Sequence, residues 1–221
     1  MQNQQPSTLK EIRVHGTQDF PCAFYQTGTR IKGNMVKHHW HEEVELLYFS
    51  GGEFCLEVNM ERFNISEECF YVINPGELHS ISVEKNGGCV ENAVVFHMDM
   101  LSSAYALDQI QTNLIQPVQN GSIQFPRCLR KNEPAFEPVR KSYEEIRNVF
   151  GGDSFRENYY DGEAVTDDIT RQLFIKSALL RILAVLSANN LFEVTEKNHD
   201  HRIETIKTTL TYIQENYKEK I

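Results

Sequence analysis

The chain of 221 residues carries 22 Lys and Arg against 31 Asp and Glu, a formal charge of −9. With 40% apolar and 24% charged residues, it is neither disordered nor collagen-like and is long enough for one large or two small cored domains. Its acidity argues against a surface that grips nucleic-acid phosphates broadly.

Met1 to Thr8 is Gln-rich and polar with no apolar stretch behind it, so no signal peptide is expected. Residues 1–20 read as an unordered tail, with an arm folded over a pocket as the alternative. From residue 21 to residue 100 the texture is that of short strands. Runs at Val44–Phe49, Phe54–Val58, Phe70–Ile73, Ile81–Val83 and Val90–Phe96 are separated by Gly51-Gly52, Asn74-Pro75-Gly76 and Asn86-Gly87-Gly88. Such spacing and punctuation predict a β-sandwich or barrel.

Near Met100 the apolar period changes from two to about three and a half, and residues 101–192 are expected to be helical. Phe136, Val139, Tyr143, Ile146 and Phe150 step by 3, 4, 3 and 4, with Pro134 before them and Gly151-Gly152 after. A second helix is predicted from about Asp167 to Ala188, where Asp167 and Asp168 suit the positive end of the dipole. Ile169, Leu173, Leu180, Leu183 and Ser187 trace one stripe, which Phe174, Ile175, Leu179, Ile182 and Leu186 widen almost to the full circumference. That helix needs cover on more than one side, from the barrel or from a second copy of the chain. Its richest apolar run, Ala178 to Leu186, is broken by Arg181 and is too short to cross a bilayer, so no membrane partner is expected.

Residues 193–201 are polar and aperiodic and read as a linker. Within 202–221, Ile203, Ile206, Leu210, Ile213 and Tyr217 again step by 3, 4, 3 and 4, predicting a last amphipathic helix. The cysteines at 22, 55, 69, 89 and 128 form no C-x-x-C pair, as expected for reduced thiols in a cytoplasmic protein.

The chemistry concentrates in one stretch. His39, His41 and Glu45 share odd parity with Leu47 and Phe49, so a strand through them would aim both imidazoles and the carboxylate into one interior. His79 follows the Asn74-Pro75-Gly76 turn and shares parity with Ile81 and Val83. Three neutral imidazoles and a carboxylate suit a divalent ion such as Zn, Ni, Fe or Mn. Without an ion, the same set can hydrogen-bond a hydroxylated small molecule or serve as satisfied polar residues at a barrel mouth. If a metal is held by these imidazoles, it is expected to leave as pH falls through about 6.

The residues also carry a family resemblance. Gly33, His39, His41, Glu45 and Gly52 match the first cupin motif, G-x5-H-x-H-x3/4-E-x6-G, at every fixed position. The second motif is kept at Gly76 and His79, while Pro75 is displaced by one and Glu68 and Val83 stand where a glycine and an asparagine belong. From Cys22 onward, the sequence resembles the sensor half of AraC-type transcription regulators, carried by His39 through Leu47, Asn74 through His79, Val94-Val95-Phe96, Leu179 through Leu183 and Arg202 through Tyr217. The resemblance implies an α+β chain in which a double-stranded β-helix, the cupin or jelly-roll barrel, precedes a helical dimerisation segment.

It further implies a small-molecule effector, such as a sugar, bound at His39, His41, Glu45 and His79, and a homodimer. DNA would be read by a C-terminal helix-turn-helix domain, of which 202–221 resembles only the first helix. On that reading the protein is no enzyme. A metal-dependent cupin enzyme, a dioxygenase or isomerase, is the alternative, and a carbohydrate-binding or storage barrel is a third. Between His38 and His79 there are nine Glu and one Arg, so the acidity belongs to the barrel and agrees with a sensor half.

Overall fold

The computed structural model describes residues 9–29, 31–86, 89–105, 107–151, 168–195 and 201–216. Eight strands come first: β1 (Cys22–Thr29), β2 (Gly33–His39), β3 (Val44–Phe49), β4 (Phe54–Val58), β5 (Glu61–Ile65), β6 (Cys69–Ile73), β7 (His79–Val83) and β8 (Cys89–Phe96). A 3₁₀ turn, Met98–Leu101, comes next, and a π-helical turn, Gln111–Ile115, runs into α1 (Gln116–Gln119), followed by β9 (Ile123–Gln124), β10 (Cys128–Arg130) and α2 (Phe136–Val149). The described remainder is α3 (Ile169–Ala188), β11 (Glu193–Val194) and α4 (His201–Asn216).

The strands form two antiparallel sheets, ordered β1-β8-β3-β6-β10 and β2-β7-β4-β5, with β11 and β9 pairing apart. Eight strands divided between two facing sheets in this order are the jelly-roll arrangement, a double-stranded β-helix. The α+β class expected from the sequence is therefore the observed one.

Apolar patterning explains the two layers. In β3, Leu46 and Tyr48 face the helices while Leu47 and Phe49 face the barrel interior. β6 divides likewise, with Phe70 and Val72 outward and Tyr71 and Ile73 inward. A strand covered on both faces reads as a continuous apolar run, and these runs were the visible ones. In β2 and β5 the burial pattern is mostly exposed or intermediate, so they alternate with polar residues and escape a hydrophobicity scan.

α2 and α3 pack over the first sheet. Phe136, Val139, Tyr143 and Ile146 of α2 and Ile175, Leu179, Ile182 and Leu186 of α3 join one core with β3, β6 and β8. Burial of each such large side chain is worth about 1.5–3 kcal/mol. Asp168 caps α3, its carboxylate accepting from the amides of Thr170 (2.9 Å) and Arg171 (3.2 Å). Asp167 and Gly152, expected at helix ends, lie outside the described residues.

Three expectations change. Residues 9–20 are not a tail apart from the barrel: Leu9 and Phe20 are buried, the Glu11 amide donates to the Trp40 carbonyl (2.9 Å) and the Trp40 amide to the Leu9 carbonyl (3.0 Å). The turn at Gly16 has φ +79°, and a Cβ there would sit 2.5 Å from the carbonyl oxygens of Phe20 and Cys22, so only glycine closes it. Segment 101–192 is not wholly helical, because β10 extends the first sheet beside β6. The expected linker begins as β11, paired with β9. Its residues 196–200 lie outside the described set.

Candidate functional site

His39, His41 and Glu45 do not lie on one strand, as parity had suggested. His39 ends β2, Glu45 lies in β3 and His41 sits in the connection between them, while His79 opens β7 as the register partner of His39. They still converge. The His39 and His79 rings are 4.3 Å apart between centroids, and the His41 and His79 rings 5.1 Å. A donor nitrogen from each of the three imidazoles lies within 4.8 Å of the others. The Glu45 carboxylate reaches to 3.0 Å from His79 Nε2 and 3.4 Å from His41 Nε2. His38, of opposite parity, turns away to Ser80 Oγ at 3.2 Å.

Local backbone fixes these orientations. Nδ1 of His39 lies 2.8 Å from the Lys37 carbonyl, Nδ1 of His79 2.9 Å from that of Glu77, and Nδ1 of His41 3.1 Å from that of Glu43. A carbonyl only accepts, so each Nδ1 carries a proton and each Nε2 is the nitrogen left to face the interior. This is how metal-ligating histidines are held. The turn between β6 and β7 supplies the frame: the Gly76 amide donates to the His41 carbonyl (2.7 Å). Buried Glu77 accepts from the Asn74 amide (2.7 Å) and is clamped by the Arg127 guanidinium, whose Nη1 lies 2.6 Å from its Oε2.

The electrostatics follow from this packing. Burial pushes His39 down to about 4, and the neighbouring His79 adds to the fall. Burial also opposes charge on His41, yet the Glu45 carboxylate 3.4 Å away, with Glu43 and Glu11 adding to it, overrides burial and raises the imidazole above its ordinary value. Burial would lift Glu45, but His41 and His79 hold it well below the usual carboxylate range. Glu45 Oε2 and His79 Nε2 are buried without a geometrically formed hydrogen bond. Two inward acceptors 3.0 Å apart need a proton or a cation between them. Two donors each about 2.1 Å from one ion lie about 3.0–3.4 Å apart for right-angle to tetrahedral geometry, so the donor set fits a divalent ion.

Beyond the four residues expected from the sequence, three more acids and bases lie in or beside this interior. Glu11 and His15 come from the segment read as a tail. Glu11 Oε2 lies 3.3 Å from His39 Nε2 and 3.4 Å from His15 Nε2, and His15 Nδ1 lies 2.8 Å from Tyr25 Oη. Glu91 of β8 is buried, and Ala93 and Val95, which share its parity, belong to the barrel-interior core. Burial, with the Glu45 charge, raises its carboxyl well above the usual range. Its parity with Ala93 and Val95 was the one available signal. A void of about 20 Å³ between sheet and helices, lined by residues such as Val72, Phe125, Leu179 and Leu183, is apolar and holds about one water.

An eight-stranded double-stranded β-helix with histidines and a glutamate converging inside is a cupin-type ligand-binding barrel. Residues 26–148 match the family model of the AraC-like ligand binding domain, and the chain belongs to that family. An uncharacterized HTH-type transcriptional regulator, YdeC of Bacillus subtilis (strain 168), is 25% identical over 96% of this chain and 67% of its own length. Among solved structures, a predicted oxalate decarboxylase from Thermotoga maritima is 24% identical over 34% of this chain and 64% of its own, with a TM-score of 0.32. A cupin protein from Bacteroides fragilis is 14% identical over 39% of this chain and 75% of its own, with a TM-score of 0.33. No helix among the described residues is long and apolar enough to cross a membrane.

Proposed function

We propose that this chain is the effector-sensing and dimerising part of a cytoplasmic AraC-type transcription regulator and has no catalytic role. A small effector, with a sugar as one candidate class, binds at His39, His41, Glu45 and His79 and controls DNA binding by a C-terminal helix-turn-helix domain. The observation that carries the reading is the convergence of four inward Nε2 and carboxylate donors inside a family-matched barrel.

Two features connect the site to the rest of a regulator. α4 is read as the helix that leads into the DNA-binding domain, and its Lys207 Nζ lies 4.4 Å from the centre of the Trp40 ring, between His39 and His41 in sequence. A cation held over an aromatic face is attracted to it, so a ligand that favours one placement of Trp40 favours one placement of α4. Only such differential affinity shifts the equilibrium. The second feature is α3, which exposes Ile169, Leu173, Phe174 and Leu180. A second copy of the chain is the proposed cover.

Chromatin immunoprecipitation of the protein expressed from its own gene tests the reading. Discrete promoter-associated sites are expected, with an occupancy change in folded His41→Ala and His79→Ala proteins. Absence of specific sites, or occupancy indifferent to both substitutions, contradicts it.

A further inference from the structure

We infer that Cys128 and Cys69 form a dithiol that hydroperoxides oxidise to a disulfide, with Cys128 as the attacking thiol and Cys69 as the resolving one. The pair lies apart from the clustered histidines: on β6, Ile73 is the register partner of Glu45, whereas Cys69, at the other end, is that of Phe49.

Register brings the groups together. Cys128 of β10 pairs with Tyr71 of β6, and Arg130 with Cys69. Cys69 and Cys128 are therefore diagonal neighbours on one face of a strand pair, where side chains still interact. Cys69 and Tyr71 belong to the barrel-interior core, and half-buried Cys128 packs at its margin. β10 is the edge strand of its sheet, so Cys128 is the member of the pair that a dissolved oxidant meets first.

The neighbours activate it. The Cys69 thiol, the Tyr71 hydroxyl and the Arg130 guanidinium favour a Cys128 thiolate and, against the effect of burial, hold its pKa below the ordinary thiol value. Cys69 is pushed the opposite way, by Cys128 and by burial, so it keeps its proton. A partly exposed thiolate beside a resolving thiol is the environment of redox-active cysteines. Cys22 shows the contrast: it is buried, and burial alone pushes its thiol up.

The Cys128 thiolate attacks the outer oxygen of the hydroperoxide. An S–O bond forms, the O–O bond breaks, and the alkoxide takes a proton from water and leaves as an alcohol, or as water when the oxidant is hydrogen peroxide. Cys69 then attacks the sulfenic sulfur, the S–O bond breaks, and the hydroxyl leaves as water with the Cys69 proton. Two thiols lose two electrons and one hydroperoxide gains them. Diagonal Cα atoms lie about 7–8 Å apart, beyond the usual disulfide span, so bond formation draws the three-residue β10 along β6. Arg127, next before β10, donates to the Val72 carbonyl at 2.6 Å and clamps Glu77, which couples oxidation to the turn that carries His79.

The test treats the reduced full chain with about one equivalent of hydrogen peroxide and maps its cysteines by peptide mass spectrometry. A Cys69–Cys128 linked peptide is expected, reversed by glutathione, with the other cysteines still free. In Cys69→Ser, dimedone is expected to trap a sulfenic acid on Cys128. Iodoacetamide labelling of Cys128 is expected to be half-maximal near pH 7, against about 8.5 for a free cysteine, and at higher pH in Cys69→Ser. Circular dichroism checks the variant's fold, and the wild-type measurements decide the matter should it misfold. Labelling at or above the free-cysteine pH overturns Cys128 as the attacking thiol. Oxidation of another cysteine first, or of Cys128 with Cys69 left unlinked, overturns the pair.

Discussion

Two buried carboxylates carry opposite consequences. Glu91 has its folded-state pKa raised by burial and by the Glu45 charge, so the fold prefers it protonated. Its contribution is fully present below the ordinary carboxylate range and is lost as pH rises through the folded value. Glu91→Gln, neutral at every pH, is expected to flatten the decline of Tm above the ordinary carboxylate range. An identical pH profile for both proteins would contradict a buried, protonated Glu91. Glu77 instead is held by Arg127, with the two side chains 8% and 26% exposed. Arg127→Ala strands that carboxylate and is expected to cost about 3 kcal/mol in urea unfolding, since removing one partner leaves a buried charge uncompensated. A loss below about 1 kcal/mol would mean that the Asn59 side-chain amide, which donates to Glu77 Oε1 at 3.3 Å, and the Asn74 amide suffice. Because the same turn carries the carbonyl that orients His79, ligand binding should weaken alongside.

At the scale of elements, α3 makes the clearest prediction. Its buried face is Ile175, Ala178, Leu179, Ile182, Leu183 and Leu186, and its exposed apolar residues include Leu173, 61% exposed, and Phe174, 59% exposed. The stripe that included Leu183 in the sequence is therefore divided between two surfaces. The double substitution Leu173→Ser with Phe174→Ser is expected to convert a dimer to a monomer in sedimentation while circular dichroism shows the fold retained. A monomeric wild type would remove the proposed partner.

Legibility followed burial. β3, β4 and the paired helices could be read because their apolar residues are covered on one or two faces. β2, β5 and the two-residue pairing of β9 with β11 could not, since they are short, polar or held by backbone alone. The β4–β5 turn shows the limit: Asn59 and Met60 both take positive φ, 49° and 70°, where the usual signal is Asn-Gly. For the candidate site, motif spacing pointed to His39, His41, Glu45 and His79, which the structure brings together. It could not identify Glu11 and His15, whose placement depends on pairing across about thirty residues of chain, which no local pattern encodes.

For the whole molecule, sheets, helices and N-terminal segment surround one polar point inside an otherwise apolar barrel. The acidity of the His38 to His79 stretch acquires a use there, because Glu45 stabilises charge on the imidazoles or on a bound cation. α4 reaches the rim of the same point through Lys207 and Trp40. A ligand at that point would thus touch the strands and the N-terminal segment, and through Trp40 it would bear on α4, the helix proposed above to lead into a DNA-binding domain. The most direct measurement is a high-resolution crystal structure of the protein purified from its native host without added ligand or chelator. Density is expected between His41 and His79, within bonding distance of Glu45. Side chains closed on one another with no density there, in a protein whose DNA occupancy still responds to its environment, would contradict it.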